Sequence, residues 1–241
     1  MTFLTLDDKS ECIGFYSNSD LVFGQVPTEN LDKTWKYSNF ANQNTLYANL
    51  FCDGKDYNDT CPEHLKEHWN LLNTQAKSFI RSFVEAKVSL KENCFYDLVP
   101  KKFLIDFCDI KCQIIDYVIE NYPKPIDYDF RKDLSILIQD ISFQKLSFDE
   151  VLIKNSLHDN KVKEFHQKYS NRDNMIVYNQ FHSKTGRLTT DENSFPILNL
   201  SKDLRGFIKP DGDFLLDIDY NAAEVRQHCS YYIYLIRIVF I

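Results

Sequence analysis

Apolar and polar residues change their spacing three times along this chain. The first stretch, residues 3 to 24, holds "TFLTL", "CIGFYS" and "LVFGQV". These short β-branched and aromatic runs are separated by the turn-forming clusters "DDKS" and "NSD", which predicts a small β meander. Residues 28 to 58 are polar and aromatic without a clear period. From Thr60 the spacing becomes helical. "TCPE" predicts Thr60 as N-cap, Pro62 in the first turn and Glu63 closing a capping box. Leu65, Trp69, Leu72, Ala76, Phe79, Phe83 and Ala86 then recur every three or four residues, the stripe of a long amphipathic helix. A second helix is expected from about Pro100 to Glu120, with Leu104, Phe107, Cys108, Ile114, Ile115 and Val118 inward. "NYPKP" stops it. A third helix covers about Asp127 to Gln144, and shorter helical pieces run to about Tyr169.

From Met175 the pattern turns mixed. "MIVYNQF" alternates like a strand, and "SKTGRLTTDENSFP" is a turn-rich connection. "DFLLDID" reads as a buried strand, with "NAAEVRQ" opening a helix. The fold class expected is α+β, in four parts: a β-rich segment at 1–58, a helical region at 59–172, a mixed segment at 173–227 and an off-pattern tail at 228–241. No internal repeat or low-complexity segment is present.

Composition narrows this picture only a little. The chain has 241 residues, 44% hydrophobic and 26% charged, enough for a sizeable core. Its net charge of −7 runs against nucleic-acid binding by bulk attraction but leaves room for a local basic groove. Seven cysteines occur with no C-x-x-C. Cys108 and Cys112 share a helix face, and reduced thiols in a cytoplasmic protein are the plainer reading over a metal site. "MTFLTLDDKSE" lacks the basic start and apolar core of a signal peptide. The apolar tail "YYIYLIRIVFI" is too short to span a bilayer and contains Arg237. "HLKEH" fits the H-x-x-E-H form of inverted zinc peptidases, with His64 and His68 four apart. They also flank the apolar stripe of a helix, where polar residues belong anyway.

The carboxylates at the end of "DFLLDID" are the sharpest chemical feature. Asp213, Asp217 and Asp219 share parity and hence one face of a strand. The segments around them form an ordered set. Asn179-Gln180 comes first, then Thr185-Gly186-Arg187-Leu188-Thr189, then "FPILNL" and Arg205-Gly206-Phe207. The set ends in Asp219-Tyr220-Asn221-Ala222-Ala223-Glu224-Val225-Arg226. This order resembles the start of the palm of family A (polymerase I-like) DNA polymerases, in the phage-type variant. The resemblance covers about 50 residues. The helical middle is similar in character to the thumb of that family, and residues 173–227 to the first part of its palm.

The resemblance implies template-directed nucleotidyl transfer in DNA replication. Two magnesium ions lower the pKa of the primer hydroxyl and steady the leaving pyrophosphate, and hard carboxylate oxygens on a rigid strand suit them. It makes Asp219 a catalytic metal ligand, with the Tyr220 backbone carbonyl as a further oxygen, while Asp217 stays an ordinary polar residue. Glu224 is implied to fill the space under the sugar and reject a 2′-hydroxyl, against the plainer reading of an acid favoured by a helix N-terminus. Arg226 is implied to bridge acidic groups within the palm. Thr185 and Arg187 occupy the primer–template contact, where a planar guanidinium matches phosphate and groove acceptors. Asn199 is the polar residue left in "FPILNL" to read the groove, since Ile197 and Leu200 stand where the family has Asn. Arg205 and Lys209 are further candidates for phosphate or nucleotide contact.

Primer–template DNA and deoxynucleoside triphosphates are thus the implied partners, and the cytoplasm, of a host cell if phage-encoded, the implied location. A His-Asp-Glu hairpin and a fingers helix, which that family carries after this motif, do not occur among these residues. The expectation is therefore a truncated or split front part, inactive alone, holding half of a two-metal site and completed by a second polypeptide. The alternative is a non-catalytic DNA-binding or assembly subunit.

Overall fold

Strand β1 (Phe3–Asp8) pairs antiparallel with β2 (Glu11–Ser17), and β2 with β3 (Asp20–Phe23), in the order β1-β2-β3. The second hairpin turns on Asn18 and Ser19, at φ of 49° and 62°. Two consecutive left-handed residues match the right-handed twist of the strands they join, which is why a two-residue hairpin favours Asn here. The register slips between Leu6 and Asp7. The extra residue there is Ile13 of β2, and Phe3 and Leu6 of β1 are both buried. The expected meander is therefore present. The computed structural model describes residues 1–8, 11–24, 31–38, 40–90, 92–170, 172, 174–184, 186–192, 194–210 and 212.

After the meander, β4 (Lys33–Thr34) runs parallel to β5 (Leu46–Tyr47). Two single-turn helices follow, α1 (Ala48–Phe51) and α2 (Tyr57–Thr60). The Asp56 carboxylate accepts the Asn58 and Asp59 amides and caps α2, and the Thr60 hydroxyl donates to the Asp56 carbonyl. This corrects the expected capping box. Thr60 closes one short helix, and the long helix α3 (Glu63–Glu85) starts with Pro62 as its N-cap residue. Asp56, four residues upstream, is the stronger cap for the local chain, and it takes Thr60 into its own turn.

Helix α4 (Phe95–Leu98) leads into α5 (Lys101–Asn121), and α6 (Tyr128–Ser142) follows the proline-rich stop. Trp69, Leu72 and Ala76 of α3 are buried, and Leu65, Phe79 and Phe83 pack beside them. Ala86 ends the helix in the open. Helix α5 is buried on more than its predicted stripe. Leu104, Ile110, Ile114, Ile115 and Val118 are at most 2% exposed, because α3 covers one side and the sheet the other. Each such side chain is worth about 1.5–3 kcal/mol of burial. The acids of α5 are matched to this packing. Asp116 accepts from Lys33 Nζ at 3.0 Å and Thr2 Oγ1 at 2.6 Å, and Asp109 from Tyr16 Oη at 3.1 Å. The first core runs from Leu6 to Tyr128 and so draws on both sides of residue 58.

A second core gathers Ile153, Val162, Phe165, Ile176, Phe195, Leu200 and Phe207. Its frame is β6 (Ser147–Phe148), α7 (Glu150–Asn155) and α8 (Asn160–Tyr169), the helices capped by Asp149 and Asp159. Strands β7 (Tyr178–Asn179) and β8 (Thr189–Thr190) form a hairpin. A 3-10 turn (Ile197–Asn199), α9 (Lys202–Arg205) and β9 (Ile208–Lys209) complete it, and β9 pairs antiparallel with β6. This core draws on both sides of residue 172. The strand expected over "MIVYNQF" is reduced to β7 and one bridge between Met175 and Lys145. The Asn179 side chain ends it by accepting the amides of Phe181 and His182, an Asx turn that bends the chain away.

The chain is thus a mixed α/β structure with a small antiparallel sheet at its start. The expected strand at 213–219, the helix start at 221–227 and the tail at 228–241 lie outside the described residues. No described helix is long and apolar enough to cross a membrane.

Candidate nucleic-acid interface

The described part of the motif set is carried by the β7–β8 hairpin. Tyr178 pairs with Thr190 and Asn179 with Thr189, and the Thr189 hydroxyl reaches the Asn179 carbonyl at 3.4 Å. The intervening loop leaves the strands through the Asx turn at Asn179. It tightens where the Gly186 amide donates to the Ser183 carbonyl at 3.2 Å. Gly186 has φ of 73° and open space around it. Backbone conformation, not crowding, is what requires glycine there. The result is an exposed loop whose tip presents His182, Lys184 and Arg187. Thr185 lies outside the described residues.

Gln180 faces the other way. Its Nε2 donates to Ser135 Oγ of α6 at 3.0 Å, and that hydroxyl donates onward to the Arg131 carbonyl at 2.9 Å. Among the described residues the buried Gln180 Oε1 has no hydrogen-bond partner. Beside it, Phe181 packs on the first core against Gly54. Asn179 and Gln180 therefore shape and anchor the loop. A cavity of about 370 Å³ opens beneath it, between α6 and the loop. Arg131 stands in its wall, paired with Asp53 at 2.6 Å and Asp127 at 2.9 Å. The Arg131 hydrogen bond holds the Asp127 carboxyl below its ordinary value. Lys184 completes the rim. The sequence reading did not include Arg131 or Lys184. The Asp127–Arg131 spacing of four on a helix is a signal for the first; the Asp53 contact is visible only in the fold.

Asn199 ends the 3-10 turn and is exposed, and that turn touches β8, so it lies near the hairpin. Arg205 is exposed as well, but part of its guanidinium is committed. Nε donates to the Leu200 carbonyl at 2.9 Å and Nη2 to the Leu198 carbonyl at 3.4 Å, closing the turn that presents Asn199. Lys209 is exposed on β9. Asp213, Asp217, Asp219, Tyr220, Glu224 and Arg226 lie outside the described residues.

Among the described residues no three His, Cys, Asp or Glu side chains are grouped to hold a metal. His64, Glu67 and His68 are exposed on α3. Cys108 and Cys112 are buried free thiols, and burial pushes Cys108 up to about 11. Lys184 and Arg187 are exposed on the loop, and Asn199 is exposed on the turn that touches β8. A scan against protein-family models, a search of curated proteins and a search of solved structures each find no match to this chain.

Proposed function

We propose that this chain is the front part of a family A DNA polymerase, acting in template-directed nucleotidyl transfer. The observation that carries the reading is the ordered run of motif segments from Asn179-Gln180 to Arg226. In this reading Arg187, Thr185, Asn199 and Arg205 contact primer–template, and the exposed loop with its glycine turn lets backbone approach the duplex. Asp219 and the Tyr220 carbonyl hold magnesium, whose chemistry is to acidify the primer hydroxyl and neutralise the leaving pyrophosphate. Glu224 stands under the incoming sugar and rejects a 2′-hydroxyl, and Arg226 bridges acidic groups of the palm. The helical middle serves as a thumb on the duplex. The His-Asp-Glu hairpin and fingers that the reaction also needs come from polypeptide outside these 241 residues. A cytoplasmic location belongs to the same reading.

The test is binding to a fluorescent primer–template by anisotropy between 50 and 200 mM salt. Log affinity should fall linearly with log salt, because phosphate contacts release counterions. Arg187→Ala should weaken binding and lower that slope by about one. Salt-independent binding, or none at micromolar protein, overturns the reading.

A further inference from the structure

Helix α6 presents an apolar face that neither core covers among the described residues. Tyr128 and Lys132 are its buried residues, and Lys132 Nζ donates to the carbonyls of Gln43 and Thr45. Ile126, just ahead of the helix, is followed by Phe130, Leu134, Leu137 and Ile141 at steps of three or four, which sets them in one row. Ile126 is fully exposed, Phe130 is 68% exposed and Leu137 55%. Leu134 and the neighbouring Ile138 are partly buried but belong to neither core. Phe130 and Leu134 also wall the cavity beneath the motif loop, together with Phe181. From Phe130 to Ile141 the row is about 17 Å long. An apolar surface of that extent marks an interaction site. Asp133 and Asp140, both exposed, run along one edge of it.

We infer that this face is the docking site for the chain's own apolar stretch at residues 231–241, "YYIYLIRIVFI", which lies outside the described residues. Position, composition and charge select that occupant over a second copy or a foreign helix. Strand β9 pairs with β6, which begins five residues after α6 ends, and Ile208 and Ile141 pack against the same core. The chain therefore leaves its described part near the C-terminal end of α6. The roughly twenty residues from 211 to 230 reach about 65 Å when extended, several times the length of the row. A segment tethered so close competes at high effective concentration against any free partner. Apart from Arg237, every side chain of residues 231–241 is aliphatic or aromatic. That one cation meets the acidic edge of Asp133 and Asp140. The inference does not rest on the polymerase reading.

The test is photocrosslinking in the full chain. With p-benzoylphenylalanine in place of Leu137, irradiation should join that position to a peptide from residues 231–241 of the same molecule, identified by mass spectrometry. The same probe in place of Leu71, exposed on α3, should not reach that peptide. Arg237→Glu should reduce the yield from position 137. Leu137→Ala should lower the folding equilibrium constant about tenfold or more in urea titration, because a covered leucine leaves a cavity. Leu71→Ala should change it by less than about twofold. Crosslinks between two chains assign the face to a second copy and overturn the inference. Crosslinks from position 137 to any other segment, or none at all, overturn it too, as does a Leu137→Ala protein as stable as Leu71→Ala.

Discussion

Replacing Gly54 by alanine tests whether the motif loop is held by the first core. Gly54 has φ of +74°, and an added Cβ would lie 2.8 Å from Phe181 Cβ and closer still to its ring. Two costs arise separately. Holding an L-residue in the left-handed region costs about 1–2 kcal/mol. Displacing Phe181 costs about 1–3 kcal/mol more as overpacking, since the near atoms include the ring root, which no χ2 rotation moves aside. The total expected loss is about 2–5 kcal/mol, read as a lower urea midpoint at unchanged slope. Phe181→Ala separates the two terms. In that background the ring clash is gone and only the 2.8 Å approach to the residue-181 Cβ remains, so Gly54→Ala should cost the backbone part and a small steric remainder. The cycle should therefore show a coupling of about 1–3 kcal/mol. A loss below 1 kcal/mol, or the same loss in both backgrounds, refutes the contact and the anchoring drawn from it.

Three further outcomes are expected. Tyr128→Phe should cost about 1–3 kcal/mol in urea unfolding, because the buried Tyr47 amide donates to the Tyr128 hydroxyl at 2.8 Å and would lose its partner. Burial raises the Cys52 and Cys108 thiols from 9.0 to about 11, so the folded chain keeps protons that the unfolded chain releases. Their contribution is full below pH 9 and is lost as pH rises to 11. Cys108→Ala should reduce the stability loss between pH 8 and 11 by about 1–3 kcal/mol, and an unchanged pH profile would contradict it. Under the proposed polymerase function, with the rest of the palm and the fingers supplied on a second polypeptide, Asp219→Ala should abolish primer extension while Asp217→Ala costs far less. Glu224→Ala should keep deoxynucleotide incorporation and admit ribonucleotides. Equal losses at the two aspartates with unchanged sugar selectivity would refute the assigned roles.

The long helices were legible because their stripes repeat over five or six turns, and no competing local signal is that long. Single-residue competition is harder to read. Thr60 looks like an N-cap until Asp56 is seen to take it, and "MIVYNQF" looks like a strand until Asn179 turns the chain. The motif order made Asn179, Gln180 and Arg187 visible, but not that Gln180 reaches Ser135 or that Arg205 serves the turn beneath Asn199. Those depend on which elements meet, as does the Gly54–Phe181 contact, which joins positions 127 residues apart. Lys132 gave no signal at all, since a lysine in the second turn of a helix is ordinarily solvated.

Helix α5 has a consequence for synthesis. Strands β1 and β4, and Tyr16 of β2, are closed by side chains that leave the ribosome only with Lys101–Asn121. Tyr16 waits for Asp109, and Thr2 and Lys33 wait for Asp116. Contacts this distant in sequence close late and leave apolar surface uncovered meanwhile. A nascent chain paused before Lys101 therefore presents Leu6, Tyr16 and Leu21 without their cover. The first hundred residues become a chaperone and protease substrate for as long as the pause lasts, and the arrival of one helix ends that exposure at once.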